Sequence, residues 1–83
     1  MIKKANFKLK VKEKPVIEKS ITTDFIRLDA FLKYCEAAQT GGHAKIIIQE
    51  GDAKVNGEVC TQRGKKLHVG DEVEFEGRIF RLI

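Results

Sequence analysis

The sequence has few of the residues that mark membrane, secreted or redox proteins. Its 83 residues include one proline, one tyrosine, two cysteines and no tryptophan. No apolar run approaches the roughly 20 residues that cross a bilayer, and the N-terminus lacks the apolar segment of a secretory signal. The two cysteines, Cys35 and Cys60, have no C-x-x-C spacing, which indicates reduced thiols in a cytoplasmic protein.

The patterns of enzymes and cofactor sites are also missing from the sequence. There is no nucleophile–base constellation, no P-loop and no dinucleotide fingerprint. The two histidines, His43 and His68, have no zinc-like spacing to the cysteines. A chain of 83 residues is one small domain with a thin core. We therefore expect no catalytic activity, metal, cofactor or small-molecule substrate.

Charge is distributed unevenly along the chain. Sixteen Lys and Arg against twelve Asp and Glu give a formal net charge of +4, which favours an anionic partner such as nucleic acid. Residues 1–20 alone carry seven lysines and two acids, so the excess formally lies there. Three basic residues then fall within 63–66, and four acids fall within 71–76. These segments predict a basic patch and an acidic patch.

The first residues have two interpretations. Lysines alternate with apolar residues between 7 and 12, and this period of two is typical of a strand until Pro15 interrupts it. A basic tail has the same composition. Residues 1–14 are therefore a basic N-terminal arm or an edge strand, and a short extended segment is expected around residues 16–21.

An amphipathic helix follows residues 22–24, which are rich in capping side chains. Its apolar positions are spaced i, i+3, i+4, i+7 and i+10, and Gly41 and Gly42 are expected to end it. Residues 40–51 are ambiguous, because isoleucines at 46–48 suit a strand whereas a Thr40 cap and a Gly51 stop suit a helix. The apolar positions of the first helix are Leu28, Phe31, Leu32, Cys35 and Ala38.

Short strands are predicted for the last third of the chain. Asn56-Gly57 between two extended stretches predicts a hairpin with a type I′ turn. Apolar residues alternate with glutamates over 72–76, and Gly77 turns the chain into a last strand over 78–83. An order of extended segment, helices and then short strands indicates the α+β class.

Aromatic residues are too few and too scattered for a base-reading surface. The chain has one tyrosine and five phenylalanines, without the aromatic interleaving that sheet-based readers of single-stranded RNA use. We expect four of the phenylalanines in the core, namely Phe25, Phe31, Phe75 and Phe80.

The ordered set of segments resembles the S4 RNA-binding domain. The resemblance covers about residues 16–83, and the chain looks most similar to the small stand-alone bacterial S4 proteins of the YaaA/YbcJ type. It implies an S4 domain over 15–83, in which two helices of an αL motif pack on a small, twisted, mostly antiparallel sheet, and it makes 40–51 a helix. The residues that carry it are Arg27-Leu28-Asp29, Phe31-Leu32-Lys33, Ala44-Lys45, Val55-Asn56-Gly57, Arg63-Gly64-Lys65-Lys66 and Gly70-Asp71.

The resemblance implies RNA binding through a basic patch and a helix N-terminus, where backbone N–H groups and the helix dipole suit a phosphate. Many S4 domains have Ser-Arg at the start of the second helix, but this sequence has Thr40-Gly41, so that arginine is absent. The expected RNA-binding residues are Arg27, Lys33, Thr40, Gly41, Gly42, His43, Lys45, Asn56, Arg63, Lys65 and Lys66.

Two functions remain open at this point. The first is a non-catalytic module that recognises the shape and phosphates of a structured RNA. Ribosomal RNA is the first candidate, with the ribosome or another ribonucleoprotein as the assembly. The alternative is a protein-interaction adaptor whose basic arm docks an acidic partner. The neutral 51–83 segment and the absent arginine keep this alternative open.

Overall fold

The computed structural model describes residues 14–83. The choice between a basic arm and an edge strand for residues 1–14 therefore lies outside the described residues, apart from Lys14. Two helices and seven short strands are described, in the order β1 (Val16–Lys19), β2 (Ile26–Arg27), α1 (Leu28–Tyr34), α2 (Gly41–Gln49), β3 (Lys54–Val55), β4 (Glu58–Val59), β5 (Lys66–Leu67), β6 (Glu72–Phe75) and β7 (Arg78–Leu82).

The strands form one larger sheet and one small ladder. The sheet has five strands in the order β1-β7-β6-β3-β4. β1 runs parallel to β7, and the other neighbours are antiparallel. β2 pairs with β5 in a separate antiparallel ladder. The predicted α+β fold, with two helices and a mostly antiparallel sheet, is confirmed.

Helix α1 begins at Leu28, the first of its predicted apolar positions, and residues 22–24 do not cap it because strand β2 lies between them and the helix. The helix ends earlier than the sequence predicts. Its last turn closes where Glu36 N–H donates to Lys33 O and Ala37 N–H donates to Leu32 O, both at 2.9 Å. This is a Schellman motif. The prediction that Gly41 and Gly42 end this helix was therefore wrong.

Helix α2 begins at those two glycines. Thr40 is its N-cap, since the Thr40 Oγ1 accepts a hydrogen bond from His43 N–H at 3.0 Å. Gly51, which follows the helix, has φ +79° and is suited to the left-handed conformation that ends helices. The helix implied by the resemblance is confirmed, despite three consecutive isoleucines with strand preference.

The Asn56-Gly57 turn also agrees with its prediction. Asn56 has φ 52° and Gly57 has φ 89°, which is the left-handed pair that a type I′ turn requires. The turn joins β3 to β4, with Val55 opposite Glu58.

One apolar core lies between the helices and the sheet. Phe31 of α1 meets Phe80 of β7 edge to face, with ring centroids 6.5 Å apart, a favoured aromatic geometry. Phe25 is 40% exposed, so its predicted place in the core was wrong. The buried residues are Leu28, Phe31, Leu32, Cys35, Ala38, Ala44, Ile47, Ile48, Ala53, Val55, Leu67, Val73, Phe75, Phe80 and Leu82.

Cys35 belongs to this core and has no chemical role there. Burial raises the pKa of its thiol to about 11, against the smaller opposing effects of Lys19 and Arg78. The thiol is therefore protonated at neutral pH and packs as a small apolar group.

The glutamates of the last two strands are paired with cations and do not form a free acidic patch. The hydrogen bond from Lys14 lowers the pKa of Glu74. Exposed pairs of this kind contribute little stability, but they neutralise this side of the sheet. The pairs are Lys14–Glu74 at 2.7 Å, Arg81–Glu72 at 2.8 Å and Arg78–Glu76 at 3.7 Å.

The left-handed residue that closes α1 predicts a stabilising substitution. Glu36 has φ 62° and an exposed side chain, and a side chain in this conformation costs about 1 kcal/mol that glycine avoids. Glu36→Gly should raise the free energy of unfolding by up to about 1 kcal/mol, measured by urea denaturation. A loss of stability would contradict the Schellman assignment.

Asp71 fastens the hairpin turn to strand β6. Its carboxylate accepts hydrogen bonds from His68 N–H at 2.8 Å and from Asn56 Nδ2 at 3.2 Å. Asn56 Oδ1 in turn accepts from Glu72 N–H at 2.9 Å. Partial burial opposes ionisation of Asp71, but these hydrogen bonds outweigh it and hold its pKa below 3.8.

This lowered pKa predicts a pH dependence of stability. The ionised Asp71 stabilises the fold above pH 3.8, and this contribution is lost as the pH falls through the lower pKa of the folded state. The unfolding free energies of wild type and Asp71→Asn should therefore differ at neutral pH and converge in acid. Urea denaturation over a range of pH measures this, and a difference that persists unchanged in acid would refute it.

Candidate functional site

The basic segment 63–66 is bonded to the start of helix α1. Arg27 of β2 pairs with Lys66 of β5. The first two helical N–H groups then donate to the same segment, Leu28 N–H to Lys65 O at 2.8 Å and Asp29 N–H to Arg63 O at 3.1 Å. These carbonyls satisfy helix donors that otherwise need a cap. The first N–H donors of α1 are therefore satisfied within the protein, and the 63–66 segment is held beside the start of the helix.

Asp29 fixes two guanidinium groups at this junction. Its Oδ2 lies 3.2 Å from Arg27 Nη2 and 3.4 Å from Arg63 Nε. The Asp29 side chain is 13% exposed, against 53% for Arg27 and 46% for Arg63. The two half-exposed arginines thus keep N–H donors available to solvent, while the nearly buried carboxylate of Asp29 fixes their positions. Sequence reasoning missed this role, although an acid in the first turn of a helix was a visible signal.

The two helices meet beside these arginines in a shallow depression. Lys33 of α1 and Gly41, the first residue of α2, belong to it. Lys45 follows Gly41 by four residues on α2, so it continues the same helix face one turn later. The residues lining the depression are Arg27, Asp29, Ala30, Lys33 and Gly41.

The first turn of α2 leaves backbone donors for an external acceptor. Ala44 N–H donates to Thr40 O at 3.0 Å, and His43 N–H donates to Thr40 Oγ1 at 3.0 Å. The N–H groups of Gly41 and Gly42 precede the first bond within the helix. A Cβ built on Gly41 meets no atom within 4 Å, and one built on Gly42 meets only Thr40 Oγ1 at 3.9 Å. The space beside these two residues, where a side chain would stand, is therefore open.

Three further predicted site residues, His43, Lys65 and Asn56, lie outside the depression between the two helices. His43 Nδ1 accepts a hydrogen bond from Gln39 N–H at 3.3 Å, so one ring nitrogen is used by the fold. Lys65 and Asn56 line a neighbouring depression together with residues 58–62. Asn56 uses both side-chain polar atoms to hold Asp71 and Glu72, which is a structural role.

The positive charge at the site is only partly compensated. Among residues 14–83, no carboxylate lies within 4.0 Å of the ammonium groups of Lys33, Lys45, Lys65 or Lys66. Arg27 and Arg63 share one carboxylate, that of Asp29. We name Arg27, Lys33, Arg63 and Lys66 the basic patch.

Neither a metal site nor a membrane span is found in the part of the chain that the structure describes. No three His, Cys, Asp or Glu side chains there are grouped to hold an ion. The described helices are too short to cross a bilayer.

Comparison with known proteins places this geometry in a family. A family model described as the S4 domain matches residues 19–83, and the chain therefore belongs to the S4 domain family. A probable ribosome maturation protein of Bacillus subtilis (strain 168), RlbA, is 48% identical over 58 residues, which are 70% of this chain and 82% of that protein.

A solved structure shows the same fold. The solution structure of YbcJ from E. coli, reported to reveal an αL motif involved in RNA binding, has 28% sequence identity and a TM-score of 0.60 to this chain. The match covers 86% of this chain and 89% of YbcJ. The resemblance drawn from the ordered sequence motifs, including its YbcJ-like subgroup, is confirmed.

Proposed function

We propose that this protein is a non-catalytic module that binds structured RNA in the cytoplasm, ribosomal RNA in the first place. The observation that carries the proposal is that Arg27 and Lys33 of the basic patch line one depression together with Gly41, the first residue of α2. Membership of the S4 family supports it, as do the names of the two relatives, one a ribosome maturation protein and one with an RNA-binding motif. The ribosome or one of its precursors is the corresponding assembly.

The basic patch suits RNA phosphates because two of its groups are already oriented. Asp29 holds the guanidinium groups of Arg27 and Arg63, so less side-chain freedom is lost when a phosphate oxygen replaces water. Lys33 and Lys66 add two further positive charges to the patch. Each phosphate contact releases counterions from the RNA, which gives sequence-independent affinity.

The start of α2 supplies a second kind of phosphate donor. Gly41 and Gly42 lower helix propensity by roughly 1 kcal/mol each relative to alanine. Neither has a positive φ, and the protein leaves room for a Cβ at both. The fold therefore has no need of glycine here. Close approach of an RNA backbone to the N–H groups is the physical reason that remains.

The absent arginine of the S4 pattern has substitutes on strand β2 and helix α1. Gly41 occupies its place in the sequence, but Arg27 and Lys33 line the same depression as Gly41. Two cations thus lie beside the helix N-terminus without a side chain from position 41. We infer that phosphate binding at this helix start is retained.

Recognition is expected to follow the shape of the RNA more than its sequence. The cations lie on two helices and on the 63–66 segment, and Lys65 faces a second depression with Asn56. A surface with several separated charges matches phosphates held at fixed positions in a folded RNA.

Removal of charge from the 63–66 segment tests the proposal. Arg63→Gln/Lys65→Gln/Lys66→Gln should weaken binding to purified ribosomal RNA about tenfold or more, and the slope of log affinity against log salt should fall in magnitude by about 2–3. Filter binding at several salt concentrations measures both quantities.

The matched control removes the same charge elsewhere. Lys14, Lys54 and Arg78 lie near Glu74 of β6 or Glu76 of the following turn, so changing all three to Gln should reduce affinity and slope far less. If both triple variants weaken binding equally, net charge alone explains it. If neither does, and only deletion of residues 1–14 abolishes binding, the basic arm and not the folded site holds the RNA. Absence of RNA binding by wild type at every salt concentration favours the alternative of a protein-interaction adaptor.

The two glycines give a prediction in which stability and binding change in opposite directions. Gly41→Ala/Gly42→Ala should raise the free energy of unfolding by about 1–2 kcal/mol and weaken RNA binding, because the methyl groups stand before the helix donors. Urea denaturation and RNA titration on the same samples measure both. Higher stability with unchanged affinity would remove the helix N-terminus from the site.

A further inference from the structure

An exposed aromatic ring lies beside the basic patch and has no role in the core. Phe25 directly precedes β2 and is 40% exposed, whereas Ile26, the next residue, packs against the core opposite Leu67. Alternation along the strand places Phe25 and Arg27 on the same outer face of the β2–β5 ladder.

Two side chains from the other strand flank this ring. Lys66 Nζ lies 4.8 Å from the centroid of the Phe25 ring, which is within the range of a cation–π contact. The His68 ring is 6.3 Å away and tilted by 49°. Lys66 of β5 and His68, which directly follows that strand, are two residues apart and both approach Phe25. We name these three residues the Phe25 platform.

The Phe25 platform lies next to a side chain that can donate hydrogen bonds to a phosphate. Arg27 follows Phe25 by two residues, roughly 7 Å along an extended strand, and Arg27 pairs with Lys66 across the ladder. A nucleotide whose base stacks on Phe25 therefore reaches cations of the basic patch with its phosphate. The other large exposed aromatic among residues 14–83 is Tyr34. It follows Lys33 in the chain, but its hydroxyl donates a 2.7 Å hydrogen bond to Ser20 O and its ring faces Lys19, which is outside the basic patch.

We propose that the Phe25 platform stacks one unpaired base of the bound RNA. The inference rests on the proposed RNA-binding function and specifies its target: a folded RNA with a loop, bulge or end beside the phosphates that the basic patch contacts. A base inside a continuous duplex keeps its faces stacked and cannot use the platform. Stacking on a ring tolerates any base, so the preference is for an unpaired base and not for a sequence.

Binding of two RNA probes tests this proposal. The probes are a stem-loop and a fully paired duplex with the same number of phosphates. Phe25→Leu removes the ring and keeps an apolar side chain, and it should weaken stem-loop binding roughly tenfold while leaving duplex binding unchanged. Phe25→Tyr keeps the ring and should bind both probes like wild type. Circular dichroism melting of each variant confirms that the fold is retained.

The absence of tryptophan from the chain allows a second readout at the same position. The fluorescence of Phe25→Trp should be quenched by the stem-loop and not by the duplex. Tyr34→Trp is the matched control, because Tyr34 is similarly exposed at 47% and also has a lysine over its ring. Its fluorescence should respond to neither probe.

The outcomes separate this inference from the function on which it rests. If wild type binds the stem-loop and Phe25→Leu binds it equally well, with equal quenching of both tryptophan variants, the platform is refuted while RNA binding stands. If wild type binds neither probe at any salt concentration, the proposed function fails and the platform fails with it.

Discussion

The pairing of residues 63–67 with the start of helix α1 is the interaction on which the site depends. Two ladder pairs, two backbone bonds from the first helical N–H groups and the Asp29 carboxylate join these segments. They lie more than thirty residues apart in the chain. Without this junction the basic segment would be a surface loop, and Arg27 would have no partner in position. The fold thus converts scattered cations into a fixed arrangement of donors.

Charges on the sheet are paired more completely than those of the basic patch. The glutamates of β6 and of the turn that follows it are matched by cations from β7 or from Lys14, so that side of the sheet is nearly neutral. At the basic patch, one carboxylate serves two arginines and orients them. The overall charge of +4 is therefore a weaker guide to the binding surface than the places where cations lack a partner. On the proposed function, the electrostatic attraction to RNA is local to the basic patch.

The features that sequence predicted were those encoded by neighbouring residues. Asn56-Gly57 specifies its turn through backbone conformations alone, and the apolar stripe from Leu28 to Ala38 is buried throughout. The end of α1 was not predictable in this way, because Glu36 takes a left-handed conformation that usually signals glycine. The exposure of Phe25 and the role of Asp29 depend on contacts with residues 63–67, which are distant in the chain. Most of the fold was accessible from sequence, whereas the site required long-range contacts.

Mapping RNA contacts on the isotope-labelled protein by NMR titration tests the central claim most directly. The account predicts that structured RNA shifts the amide signals of Gly41 and Gly42, the side-chain signals of Arg27 and Arg63, and the ring signals of Phe25. The signals of strands β6 and β7 should stay in place. Shifts confined to residues 1–14 or to the β6–β7 hairpin, with an unchanged α1–α2 depression, would contradict it.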